Sequence, residues 1–150
     1  MSFSKAQQGK FRPLVAAAWN AVAENPKDKA RYRAWYESEL MTCVGVASTI
    51  PLDQGRDFDV AAAHFEALAD DGSTYWQQRA EEGDFRRICH AVFKGAPPVI
   101  DGKRIAPDYV RGIAAQAFKL PDFPALRTLS KPRLKFVIKA LAIHAKRHQR

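Results

Sequence analysis

No acidic residue follows Asp122 in this chain of 150 residues, although Asp and Glu number 16 in all. Basic residues in that last stretch therefore have no acid close by in sequence. Thiols are scarce too. Cys43 and Cys89 are the only two cysteines, too few and too far apart in sequence for a disulfide framework or a zinc set. No apolar run approaches the ~18 residues that span a bilayer, so no membrane partner is expected. The opening MSFSKAQQGKFRPLVAAAW lacks the basic, apolar and small-residue order of a secretory leader. With thiols that stay reduced, the cytoplasm is the expected compartment. A phosphate-cradling Gly-rich loop and a GxSxG elbow are both missing. No cofactor is expected, and no motif specifies a reaction.

What is present is positive charge, unevenly placed. Residues 1–75 hold 8 Lys/Arg against 10 Asp/Glu, whereas residues 76–150 hold 16 against 6. The first half is mildly acidic and the second strongly basic, an asymmetry that points to a polyanionic partner. The apolar fraction of 47% is enough for one domain with a proper core.

The periodicity is helical throughout. Ser4 is a candidate N-cap, and SKAQQGKFRPLVAAAWNAVAEN becomes Ala-rich after Pro13, which is either a first-turn proline or a kink. DKARYRAWYESELMTCVG places Ala30, Tyr32, Trp35, Tyr36, Leu40, Cys43 and Val44 near helical spacing, with Gly45 as terminator. DFDVAAAHFEALADDG has Asp57 as N-cap, an apolar face of Phe58, Ala61, Phe65 and Leu68, and Gly72 at its end. The next helix runs from a Ser73 cap to Gly95, with Gly83 as a weak point. Within residues 96–106, Asp101-Gly102 is suited to close a tiny hairpin. A helix resumes after Pro107, PDFPALRTL turns, and Ser130 caps the last helix with Pro132 in its first turn. The expected architecture is all-α, a single domain over residues 1–150 built as a bundle of five or six helices.

The last helix carries the functional signal. At about 100° per residue, with Lys135 set at zero, Lys131, Lys146, Lys139 and Arg150 fall within an arc of about 100°. Leu134, Ile138, Leu141 and Ala145 form an adjacent apolar stripe, and Arg133 and Arg147 lie on a third side. Cations at a helix C-terminus are favoured by the macrodipole, which accounts for Lys146, Arg147 and Arg150. It does not account for Lys131 and Lys135 at the N-terminal end, where cations are disfavoured. Nor does the helix contain the i,i+4 acid–base pairs of an ordinary solvated face. A polyanion-binding surface is therefore expected, made by Lys131, Lys135, Lys139, Lys146, Arg147 and Arg150, with Arg86, Arg87, Lys103, Arg104 and Arg127 extending it. Nucleic acid is the expected ligand, DNA ahead of RNA, through phosphate neutralisation. The connection KLPDFPALRTLS is too long for a helix-turn-helix turn, so sequence-specific reading is not expected.

Other residue sets invite chemistry and have plainer readings. His144 and His148 have the i,i+4 spacing of metal ligands, but they lack a third ligand and sit among cations. They read better as protonatable additions to the basic surface. Asp57, Asp59, His64 and Glu66 form a weak acid–base set; Asp57 and Asp59 are better read as cap and first-turn acid. Cys89 and His90 are adjacent, so on a helix they diverge by about 100° and cannot act as nucleophile and base. Trp19, Tyr32, Trp35, Tyr36, Phe65, Tyr75 and Trp76 read as core filling rather than base-stacking platforms.

The pieces Lys5-Ala6-Gln7, Tyr32-Arg33, Gly45 and Ser48-Thr49 give a KxQ start, a helix with YR, and a Gly and Ser/Thr turn. In these the first third of the chain resembles the Mu-type GemA regulatory proteins of bacteriophages and prophages. IPLDQGRDFD and the long basic second half depart from that pattern. The resemblance implies a phage accessory protein acting on host transcription or DNA topology, in the cytoplasm of a bacterial host, and transfers no catalytic residue. The expected function is thus non-catalytic nucleic-acid binding. An interaction module for an acidic host or phage protein is the alternative, and a nucleic-acid-processing enzyme built on DFD and His64 is the third.

Overall fold

The computed structural model describes residues 2–148 and is all-α. Its elements are α1 (Lys5–Val22), α2 (Lys29–Val44), α3 (Arg56–Ala69), α4 (Tyr75–Phe93), strands β1 (Val99–Ile100) and β2 (Lys103–Arg104), α5 (Pro107–Ala117) and α6 (Lys131–His148). A single 3-10 turn, Leu126–Thr128, precedes α6. The chain divides into two compact units, Met1–Ala80 and Glu81–Arg150, with the division inside α4. The second unit holds 15 of the Lys/Arg residues against 6 Asp/Glu, so most of the positive excess belongs to it.

In the first unit, α1 starts at a complete capping box. The Ser4 hydroxyl accepts from the Gln7 amide, and the Gln7 side chain accepts from the Ser4 amide, each at 3.1 Å. The helix then continues through Pro13. Helix α1 packs chiefly on α3, and the buried contact is aromatic. Phe11 meets Phe3 and Phe65 edge-on at 5.2 and 5.5 Å between ring centroids. Burying such a ring contributes roughly 2–3 kcal/mol. Trp19, Tyr32, Trp35 and Tyr36 surround this core and contact one another or Phe65, as their spacing predicts. Ala30, also placed on that face by spacing, is exposed.

Two helix ends in this unit differ from the expectation. Helix α3 begins one residue before Asp57, and Asp53 does the capping. The Oδ1 atom of Asp53 accepts from the amides of Gly55 and Asp57 at 2.9 and 3.0 Å. Asp57 is buried instead, and its carboxylate accepts from the Asp53 amide at 3.0 Å. The helix ends at Ala69 with Asp70 in the left-handed region (φ 48°), two residues before Gly72. Helix α4 then runs unbroken through Gly83.

The start of α4 is held by a residue distant in sequence. Glu66, 3% exposed, accepts from the amides of Trp76 and Gln77 at 3.1 and 3.0 Å. It thus satisfies two first-turn N–H groups that the helix leaves open and places negative charge at the positive end of the dipole. Glu66→Ala should lower unfolding free energy by about 2–3 kcal/mol, since hydrogen bonds to charged groups contribute about 1.5–3 kcal/mol. Urea denaturation followed by circular dichroism measures it, and a loss below about 0.5 kcal/mol, the range of ordinary surface changes, contradicts this role.

In the second unit, β1 and β2 pair antiparallel as Val99 with Arg104 and Ile100 with Lys103. Asp101 (φ 54°) and Gly102 (φ 78°) form the turn. Positive φ at both positions is the geometry for which Asp-Gly is selected. The hairpin turns Ile100 and then Ile105 into a core with Ile88, Val110, Leu126, Val137 and Leu141. Helix α5 packs on α6. The buried stripe of α6 is Leu134, Val137, Leu141 and Ala145, with Ile138 only partly buried. Val137 therefore holds the central place that spacing alone assigns to Ile138.

Candidate nucleic-acid interface

The shift of the buried stripe towards Val137 turns the lysines of α6 outward. Lys131, Lys135, Lys139 and Lys146 are all exposed. Among the described residues, Lys135, Lys139 and Lys146 take part in no ion pair. From Lys131 to Lys146 the stripe extends about 22 Å at about 1.5 Å per residue. Duplex DNA rises by that distance over about six phosphates of one strand. Arg147 is exposed but lies about 120° from Lys135 on the wheel, off the lysine row, and Arg150 lies outside the described residues.

Beside the lysines, at about 80–100° from Lys135 on the wheel, stand Phe136 and Ile143, 52% and 54% exposed. The Phe136 ring rests partly on Phe118 at 5.6 Å, and the Arg133 guanidinium covers Phe118 at 4.6 Å. Their wheel positions lie well outside the apolar stripe of the helix.

The remaining sequence-selected cations divide into three situations. Arg87 is engaged with Asp84, which is fully buried, at 3.0 Å. Arg127 is engaged with Glu81. That carboxylate accepts from the Leu126 amide (2.7 Å), the Arg127 amide (3.1 Å) and the Arg111 guanidinium (2.8 Å), and lies 3.5 Å from the Arg127 guanidinium. Arg86, Lys103 and Arg104 are exposed but belong to a different surface. Arg86 and Arg104 share a shallow cavity of about 370 Å³ with Phe85, His90 and Pro98. Lys103 and Arg104 line a second cavity of about 700 Å³ with Tyr109, Gly112 and Phe123.

The histidines fix where the hairpin meets α6. His148 contacts the Asp101 carboxylate at 3.2 Å, and His144 bonds the Tyr109 hydroxyl. Both rings lie at about 180–220° from Lys135, on the far side of α6. They therefore do not extend the lysine stripe, and neither do Lys103 and Arg104 beyond them. Burial and the nearby His148 hold the His144 pKa below its ordinary value.

The acid–base set of the first unit is dispersed into structural contacts. Asp57 is tied to the Asp53 backbone, Asp59 lies 3.6 Å from Arg79, and Glu66 caps α4. His64 bonds Glu39 at 2.7 Å. Among the described residues no three His, Cys, Asp or Glu side chains are grouped to hold a metal ion.

Both thiols are suppressed. Burial pushes the Cys43 pKa up to about 12 and raises that of Cys89 as well. For Cys43 such a rise cuts the thiolate fraction near pH 8 on the order of a thousandfold, and the thiolate is the reactive form. The native protein should therefore leave both thiols unlabelled by a disulfide reagent at pH 8, and urea-unfolded protein should titrate both. Rapid native labelling of Cys43 contradicts this burial.

Comparison with protein-family models, with curated proteins and with solved structures finds no match to this chain.

Proposed function

We propose that this protein binds nucleic acid, duplex DNA foremost, through the lysine face of α6, without catalysis. The observation that supports the reading is the exposed row Lys135, Lys139 and Lys146, which takes part in no ion pair among the described residues and lies in a region with no acid after Asp122. Such a row repels itself unless an external anion neutralises it, and a phosphate backbone does so with release of counterions. The proposed binding is sequence-tolerant, because lysine–phosphate contacts position a duplex without reading its bases. The setting is that of a phage accessory protein, a part of the proposal that rests on the resemblance carried by Lys5–Gln7, Tyr32–Arg33, Gly45 and Ser48–Thr49.

A second reading draws on Phe136 and Ile143. Exposed apolar side chains beside a lysine row suit an acidic protein, with the apolar pair as anchor and the lysines as rim. An anisotropy titration of labelled duplex at low salt, repeated with an acidic polypeptide as competitor, separates the two. The nucleic-acid reading expects saturable duplex binding that the polypeptide displaces poorly. Absence of duplex binding up to high micromolar protein removes it and leaves the acidic-protein reading.

A further inference from the structure

The hairpin surface is separate from the lysine face and has a different chemistry. In its larger cavity, of about 700 Å³, Lys103 and Arg104 stand beside Tyr109 and Phe123. Phe123 is 60% exposed, although it belongs to a short turn that has a buried core close by. Its ring edge lies against α5 at Gly112, where a Cβ would come within 3.2 Å of the ring. The absence of a side chain at Gly112 thus lets the ring sit close to the helix while much of it faces solvent. Across β2, Arg104 and Ile105 also line the smaller cavity with Arg86 and His90. Two hollows therefore flank one short cationic strand.

We propose that this hairpin surface seats unpaired nucleotides of a single strand: Phe123 stacks on a base in the larger hollow, while Lys103 and Arg104 neutralise the flanking phosphates. The inference rests on the nucleic-acid reading above and adds to it a ligand class and a second site. A duplex cannot use this site, because its bases are already stacked on one another. Base–aromatic stacking is tolerant of sequence, since every base has a π-face. Two acids also line the larger hollow: Asp108, paired with Arg111 at 2.6 Å, and Asp101, whose carboxylate lies 3.2 Å from the His148 ring. Among the described residues neither Lys103 nor Arg104 takes part in an ion pair, so their charge is available to phosphate. Arg104, lining both hollows, is placed for the phosphate between two successive nucleotides.

The test compares a fluorescein-labelled oligothymidylate with a duplex of equal length on the intact chain. Phe123→Leu keeps an apolar side chain and removes the π-face. It should weaken oligothymidylate binding about tenfold and leave duplex binding within about twofold. Phe123→Trp should restore oligothymidylate binding. Lys103→Gln with Arg104→Gln changes only exposed side chains and should also weaken the single strand more than the duplex. Duplex binding with no oligothymidylate binding, or equal losses on both ligands in these variants, overturns the hairpin seat and leaves the α6 reading standing. Failure of the native protein to bind either ligand overturns both.

Discussion

Reversing Lys135, Lys139 and Lys146 to glutamate should lower affinity for duplex DNA on the order of a thousandfold at about 50 mM salt. Each phosphate contact contributes about 0.9 to the slope of log affinity against log salt, so three lost contacts remove roughly 2.7. Extrapolated from about 1 M to about 50 mM salt, that slope amounts to more than three decades. New repulsion from the glutamates adds to the loss. The fold should survive. All three side chains are exposed, glutamate is a good helix former, and surface changes usually move stability by no more than ~0.5 kcal/mol each. Reversing Lys27, Lys29 and Arg31 changes total charge equally, at the start of α2, and should cost far less. Equal losses in the two triple variants would mean that net charge alone matters and that α6 is not the interface. Loss of helical circular dichroism in the α6 variant would mean that its lysines are packed rather than displayed.

The largest effect on stability should come from Glu81→Ala. The Glu81 side chain is 9% exposed and meets two arginines, Arg111 and Arg127, each 25% exposed. It also accepts the first two amides of the Leu126–Thr128 turn. Truncation takes this acceptor from Arg127 and from two amides, and leaves Arg111 with Asp108 alone. Removing one partner of a buried pair typically costs about 3–5 kcal/mol, a large fraction of the ~5–15 kcal/mol that holds a domain together. Glu81→Gln keeps an acceptor oxygen but not the charge, and should fall between. Urea denaturation by circular dichroism measures both, and a loss below about 1 kcal/mol in the alanine variant would contradict the role given to Glu81.

Much of this architecture was legible because it is written locally. Ser4 and Gln7 are three residues apart, Gly45 sits where a left-handed cap is needed, and Asp101-Gly102 carries the conformations of its own turn. Those signals need no knowledge of the rest of the chain. The readings that shifted depend on distant residues. Asp57 has the composition of a cap, but Asp53 reaches the helix end first, and a buried Asp57 becomes the partner of the Asp53 backbone. Glu66 and Glu81 hold amides 10 and 45 residues away, a relation that no periodicity encodes. The lysine row of α6 was visible on the wheel, whereas its separation from Lys103 and Arg104 was not. That separation follows from the hairpin meeting the far side of the helix through Asp101 and His148.

The central claim, that the α6 lysines bind a phosphate backbone, is tested most directly by the salt dependence of duplex affinity for the native chain. Phosphate contacts by Lys135, Lys139 and Lys146 contribute about −2.7 to the log–log slope, a contribution that is lost when the three are replaced by glutamine. A slope near zero, or one unchanged by those replacements, would contradict it.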